Sequence, residues 1–186
     1  EEVLPVDEWV DVAVVYDGAL ASTERVKIYL NGVLLSATER GDIPATLDFS
    51  TLDFCIGTRT DLASPLDGDM DNIAMFSNAL TSAEVLAIWN NGLCADLNTL
   101  GALSVAPIYY WQVTDDDTTT IFNHGTTTLQ SVTIVNSAQI IKNCFIANSW
   151  TNLKSISFDG VDSYVSHGTI SELSNVGVSS VSIWMK

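Results

Sequence analysis

The sequence predicts an all-β fold, an antiparallel β-sandwich carrying one short helix. Three observations lead there. Short runs rich in β-branched and aromatic residues recur along all 186 residues. Turn signals separate them at short spacing, and only one segment carries the signature of a helix start.

Val10 to Tyr16 and Val26 to Leu30 are the first two β-rich runs, closed by Asp17-Gly18 and Asn31-Gly32. Asn-Gly between apolar runs is the strongest short-range hairpin signal, because both residues tolerate the positive φ of a type I′ turn. Lys27 to Leu30 should therefore turn back into Val33 to Ser36. Thr51 to Thr58 and Asp69 to Phe76 read as two more strands, separated by a polar Gly- and Pro-bearing loop. Thr81-Ser82-Ala83-Glu84 is a capping box, and Leu80, Val85, Ile88 and Trp89 supply an apolar stripe that Gly92 stops. From Cys94 to Lys154, Ile108 to Trp111 and Val132 to Val135 are too apolar to lie in solvent and read as strands, whereas Asp115-Asp116-Asp117 reads as an exposed turn. Ser155 to Phe158, continuing through Tyr164-Val165, and Val178 to Met185 are the last strands expected.

The formal net charge is −16, with seven Lys and Arg against 23 Asp and Glu. Phosphate backbones and anionic lipids need a clustered positive field, so nucleic acid is not an expected partner. No apolar run is long enough to span a bilayer, so no membrane insertion is expected. Cys55, Cys94 and Cys144 are odd in number and lack metal-ligand spacing, which argues against a disulfide framework. No N-x-S/T sequon occurs, mildly favouring a bacterial or viral source. The chain begins without Met and ends directly after a strand-like run, so both ends are expected to be cuts through a longer polypeptide.

Two segments resemble the laminin-G-like, concanavalin-A-like lectin and glucanase family. The first runs from Glu8-Trp9 through Val10 to Gly18, Val26 to Gly32, Phe54 to Gly57 and Leu66 to Phe76, ending at Ala79 to Glu84. It is similar to the C-terminal half of such a domain, in order. The second, Ser157 to Val165 followed by Val181 to Lys186, is similar to the N-terminal half. The resemblance implies a jelly-roll sandwich divided into residues 1–93, a β-rich connecting segment 94–154, and residues 155–186. The last part is either the opening of a next tandem domain or a permuted part of the same one. A slice through tandem domains is the expectation, because the strands that normally lie between the two halves are missing from both sides. The middle block is similar to inter-domain segments of phage and bacterial surface proteins. The resemblance thus implies a non-catalytic structural or adhesion module of a virion appendage or extracellular filament, at a virion or cell surface. Its partners would be other copies of itself or neighbouring subunits. The alternative is a calcium-assisted carbohydrate-binding module whose partner is a glycan.

Glycosidases of this fold need two carboxylates across a cleft, which in retaining members come from a Glu-x-Asp-x-x-Glu strand, and the sequence has none. Asp67-Gly68-Asp69-Met70-Asp71 would place three carboxylates on one strand face if extended throughout. An EF-hand is excluded, because Asn72 and Asn78 stand where Gly and Glu belong. Asp71 is expected to tether backbone N–H groups or to ligate Ca²⁺. In relatives a calcium lies where the opening Phe-Asp-Gly strand meets the last strand, so the resemblance makes Asp159 and Asp162 the co-ligands. His124 and His167 stand in no cluster and are expected at surface or turn positions. Trp9, Trp89 and Trp184 fall on apolar stripes and are expected to be buried, while Trp111 and Trp150 stay open. Asn31, Arg59 and Asp61 are loop positions able to line a sugar site.

Overall fold

The computed structural model describes residues 4–36, 41–48, 53–59, 63–93, 95–113, 119–127, 131–136, 138–141, 154–169 and 176–186. The strands run β1 (Val10–Asp17), β2 (Val26–Leu30), β3 (Val33–Leu34), β4 (Asp53–Ile56) and β5 (Asp67–Phe76). The helix α1 (Ser82–Trp89) follows. Then come β6 (Tyr109–Trp111), β7 (Thr120–Ile121), β8 (Val132–Val135), β9 (Gln139–Ile141), β10 (Ser155–Asp159), β11 (Tyr164–Thr169) and β12 (Val178–Met185).

Local chemistry accounts for most of these. Asn31 and Gly32 take φ of 51° and 77°, and the ladder pairs Leu30 with Val33, so they form the two-residue hairpin the sequence announces. At α1 the Thr81 hydroxyl accepts the Glu84 N–H while the Glu84 carboxylate accepts the Thr81 N–H, and Asn90 closes the helix in the left-handed region at φ 46°.

Two antiparallel sheets face each other. The larger orders its strands β3-β2-β1-β12-β5-β10-β9, with β6 also paired to β5, and the smaller β4-β11-β8-β7. Their inner faces meet in a core of Ile73, Met75, Trp111, Ile121, Val132, Ile156, Phe158 and Val165. A second apolar cluster lies on the outer face of the large sheet, where Ala13, Val15, Tyr29, Ala74 and Phe76 are covered by Leu80, Val85, Ile88 and Leu97. Helix α1 and the residues after it thus form a third layer.

The strand order brings the two segments that resemble half-domains into the same sheets. β12 lies between β1 and β5, pairing along all eight residues of β1, and β10 pairs with β5. The stretch 94–154 also enters the sheets, through β6 beside β5, β8 beside β11 and β9 beside β10. Residues 155–186 here fill slots in the sheets of the residues before them, because β1 and β5 each present a ladder edge that β12 satisfies.

Two side-chain expectations change. His167 lies on β11 with its ring edge-on to Tyr109 and Trp111, at centroid distances of 5.4 and 5.6 Å, so it is no turn residue. Trp111 is 1% exposed and stacked against Phe54 and Tyr109. Trp184 is buried as expected, and Trp9 and Trp89 are partly buried. Cys94, Cys144, Trp150, Asp61 and the Asp115-Asp116-Asp117 run lie outside the described residues.

Candidate functional site

Asp71 sits on β5 and is 1% exposed. Its Oδ1 accepts the backbone N–H of Asn72 (2.7 Å) and of Val113 (3.3 Å), and its Oδ2 accepts the Asn72 side-chain amide (3.2 Å). Asn72 adopts φ 49°, and the β5–β12 register shifts here, pairing Ala74 with Ser182 but Asp71 with Trp184. The carboxylate braces a β-bulge, holding strand amides that the irregular ladder leaves over. Tyr110 completes the brace by donating its hydroxyl to Asn72 Oδ1 at 2.8 Å.

Asp159 and Asp162 come together elsewhere, in the turn between β10 and β11. Asp159 Oδ1 accepts the N–H of Val161 (3.0 Å), Asp162 (3.4 Å) and Ser163 (3.3 Å), and the Ser163 hydroxyl at 2.8 Å. Such a carboxylate caps its own turn, as Asp side chains do in loops. Asp162 is exposed, and its carbonyl accepts the Asn136 side-chain amide at 2.9 Å.

Register measures the separation. Asp159 pairs with Asp67, and Asp71 lies four residues further along β5. At about 3.3 Å per residue that is roughly 13 Å. Oxygens around one Ca²⁺ lie about 2.4 Å from it, so ligands at opposite sides of the ion are no more than about 5 Å apart. Asp71 therefore does not join Asp159 and Asp162, and among the described residues no group of three or more His, Cys, Asp or Glu gathers to hold a metal ion. Asp71 Oδ1 is taken up by backbone amides and its Oδ2 by the Asn72 side-chain amide, while Asp159 Oδ1 is taken up by its own turn.

Two other acids matter more to the fold. Glu84 is 6% exposed, and its Oε1 accepts the Ser104 N–H (2.8 Å) and hydroxyl (2.6 Å) while Oε2 holds Thr81. Burial alone would raise its pKa, but the hydrogen bonds from Ser104 and Thr81 outweigh burial and bring it to about 2. Asp11 is 0% exposed on β1. The Ser182 hydroxyl donates to its Oδ2 at 2.8 Å, and Oδ1 has no hydrogen-bond partner. Burial pushes its pKa up to about 7, against a smaller lowering by Ser182. Asp11 was not singled out in the sequence, yet the signal exists: it stands in phase with Ala13 and Val15, two positions that face the α1 layer.

Of the loop positions able to line a sugar site, Asn31 is structural, its Oδ1 accepting the Asp11 N–H at 3.0 Å. Arg59 is exposed just after β4. Phe122 is 54% exposed, the one exposed aromatic ring among the described residues. On β3, the last strand of the large sheet among the described residues, Val33 and Leu34 are 64% and 51% exposed. Leu86 of α1, 50% exposed, packs beside the Gly32 turn.

Comparison with known proteins gives one family. The model of the Concanavalin A-like lectin/glucanases superfamily matches residues 1–86. No curated protein and no solved structure matches the chain.

Proposed function

Because residues 1–86 of the chain belong to the concanavalin A-like lectin/glucanase superfamily, we propose that it is a non-catalytic structural or adhesion module of a virion appendage or extracellular filament, acting through contacts with copies of itself or neighbouring subunits. The observation that carries this reading is the β3 edge. Val33 and Leu34 present apolar side chains on a strand that, among the described residues, ends the sheet, and Leu86 extends the patch onto α1. Natural sheets usually protect such an edge with charge or proline, so an apolar edge marks a contact surface. The faces of the large sheet offer less: one is the inter-sheet core, and much of the other is packed beneath α1.

Light scattering of the purified chain, with and without EDTA, tests the reading. Assembly that grows with concentration and is lost in Val33→Lys and Leu34→Lys supports it. A monodisperse monomer at all concentrations overturns it.

A second reading, glycan binding, is favoured by Phe122, whose exposed ring could stack on a sugar face. Glycan-array binding by the intact chain that disappears in Phe122→Ala would put this reading first.

A further inference from the structure

The seam between β1 and β12 is where a strand from the far end of the sequence enters the large sheet. Beyond the ladder, two buried serines fasten β12 by side chain. Ser180, 1% exposed, accepts the Leu80 N–H at 2.9 Å and donates to the Asn78 carbonyl at 2.8 Å, tying β12 to the connection leading into α1. Ser182, 0% exposed, donates to Asp11. The first link is between neutral groups and is indifferent to pH. The second ends on a carboxyl with one oxygen unsatisfied in a fully buried place.

Among the described residues no cation balances that carboxyl across the seam. Trp184 is its register partner on β12, and Ala13, next in the same row, faces Ser182. On the β2 side the contact is Asn31, which holds the Asp11 backbone through its own N–H to the Asp11 carbonyl and through Oδ1. One strand beyond Trp184 the row ends on Asp71, a like charge whose oxygens are taken up by Asn72 and Val113. A charge placed on Asp11 would therefore be desolvated, unpaired and in line with another carboxylate. Each condition favours the neutral acid.

We propose that the seat of β12 over Asp11 is proton-operated, firm while the buried Asp11 carboxyl is neutral and loosened when it ionises. The cost of burying the charge exceeds the stronger hydrogen bond that Ser182 would give the carboxylate. This stands apart from the assembly reading. The direction follows from linkage. Once β12 lifts, Asp11 reaches solvent and regains a carboxylate's ordinary behaviour, losing its proton near 3.8, whereas seated it keeps the proton to about 7. Between those values the seated state binds more protons, so the seat is firmest on the acid side, weakens as pH rises through the window, and gains nothing more from the proton above 7. From those two values, the seated-to-lifted ratio should fall roughly 90-fold between pH 5 and pH 8.

Hydrogen exchange of the intact chain, read on peptides covering 178–185 and corrected for intrinsic exchange, measures that ratio. Wild type should lose protection in β12 by tens of fold from pH 5 to pH 8, while Asp11→Asn and Asp11→Val should stay level within a few fold. Because only the pH slope is compared, a variant less stable throughout still reports. Should neither variant fold, carbon NMR of wild-type Asp11 supplies the test, with a carboxyl midpoint near neutrality expected. Parallel slopes in wild type and variants, a midpoint below 5, or protection that EDTA abolishes at one pH would overturn the proposal, the last by placing a cation where a proton is invoked.

Discussion

Removing the Glu84 carboxylate should loosen the start of α1 from the segment that follows the helix. Glu84 ties the helix start to Ser104, with Oε2 on the Thr81 N–H and hydroxyl and Oε1 on the Ser104 N–H and hydroxyl. Glu84→Ala breaks the reciprocal cap, which costs about 1 kcal/mol. It also strips two charge-assisted bonds from Ser104, each worth about 1.5–3 kcal/mol where the donor is left unpaired. These contributions share one carboxylate and are not additive, so about 2–4 kcal/mol is expected in total. For a chain of this size each kcal/mol moves Tm by about 2–4 °C, so a fall of roughly 5–15 °C should accompany it. Thr81→Ala should cost only the cap, about 1 kcal/mol. Urea unfolding followed by tryptophan fluorescence measures all three chains. The pH dependence carries a sign: the carboxyl's folded pKa lies near 2, below its ordinary 4.5, so its stabilisation is complete above 4.5 and is lost as pH falls towards 2. Glu84→Gln should therefore flatten the acid limb of the stability curve. A loss below about 0.5 kcal/mol in Glu84→Ala, the range of an ordinary surface change, would refute the tether.

Three further outcomes follow from single residues. Gly57 has φ 89°, and an added Cβ would collide with the buried Phe158 ring, so Gly57→Ala should destabilise by about 2 kcal/mol or more in the same urea assay. Asp159→Ala opens the cap of the β10–β11 turn and should cost about 1 kcal/mol, while wild-type Tm should be the same in EDTA and in millimolar Ca²⁺; a clear rise with Ca²⁺ would show a cation site that the turn geometry does not provide. Phe122→Ala removes an exposed ring and should change stability by less than about 0.5 kcal/mol, so any loss of glycan binding in that variant reads as recognition alone.

What the sequence disclosed was local. Asn31-Gly32 fixes its hairpin and Thr81 to Glu84 their helix start because each device is complete within a few residues. Alternation within Val10 to Tyr16 or Val178 to Met185 likewise marks strands without saying which strands meet. The seat of β12 between β1 and β5 joins residues about 170 positions apart, as in the Val10 to Met185 pair, and nothing in either segment states it. The same limit hid the partners of the acids. Asp71 was legible as a tether or a Ca²⁺ ligand, but the bulge that gives the tether its purpose depends on β12. His167 gave no warning, because its neighbours Tyr109 and Trp111 arrive from another strand across the core.

Asp11 shows how far the pattern itself can be pushed. In Val10-Asp11-Val12-Ala13-Val14-Val15 the acid shares phase with residues on the helix-covered face, and an alternating strand offers it no other side. Turning the carboxyl to the opposite face would require a one-residue slip of β1, which would move Ala13 and Val15 out of the cluster beneath α1 along with it. Burial of Val15, worth about 1.5–3 kcal/mol, together with Ala13 offsets one buried acid that can stay protonated. The register is thus decided by the hydrophobic majority. Burial shifts the acid's proton equilibrium upward, so the chemistry of this seam should emerge as pH dependence and not as a different fold.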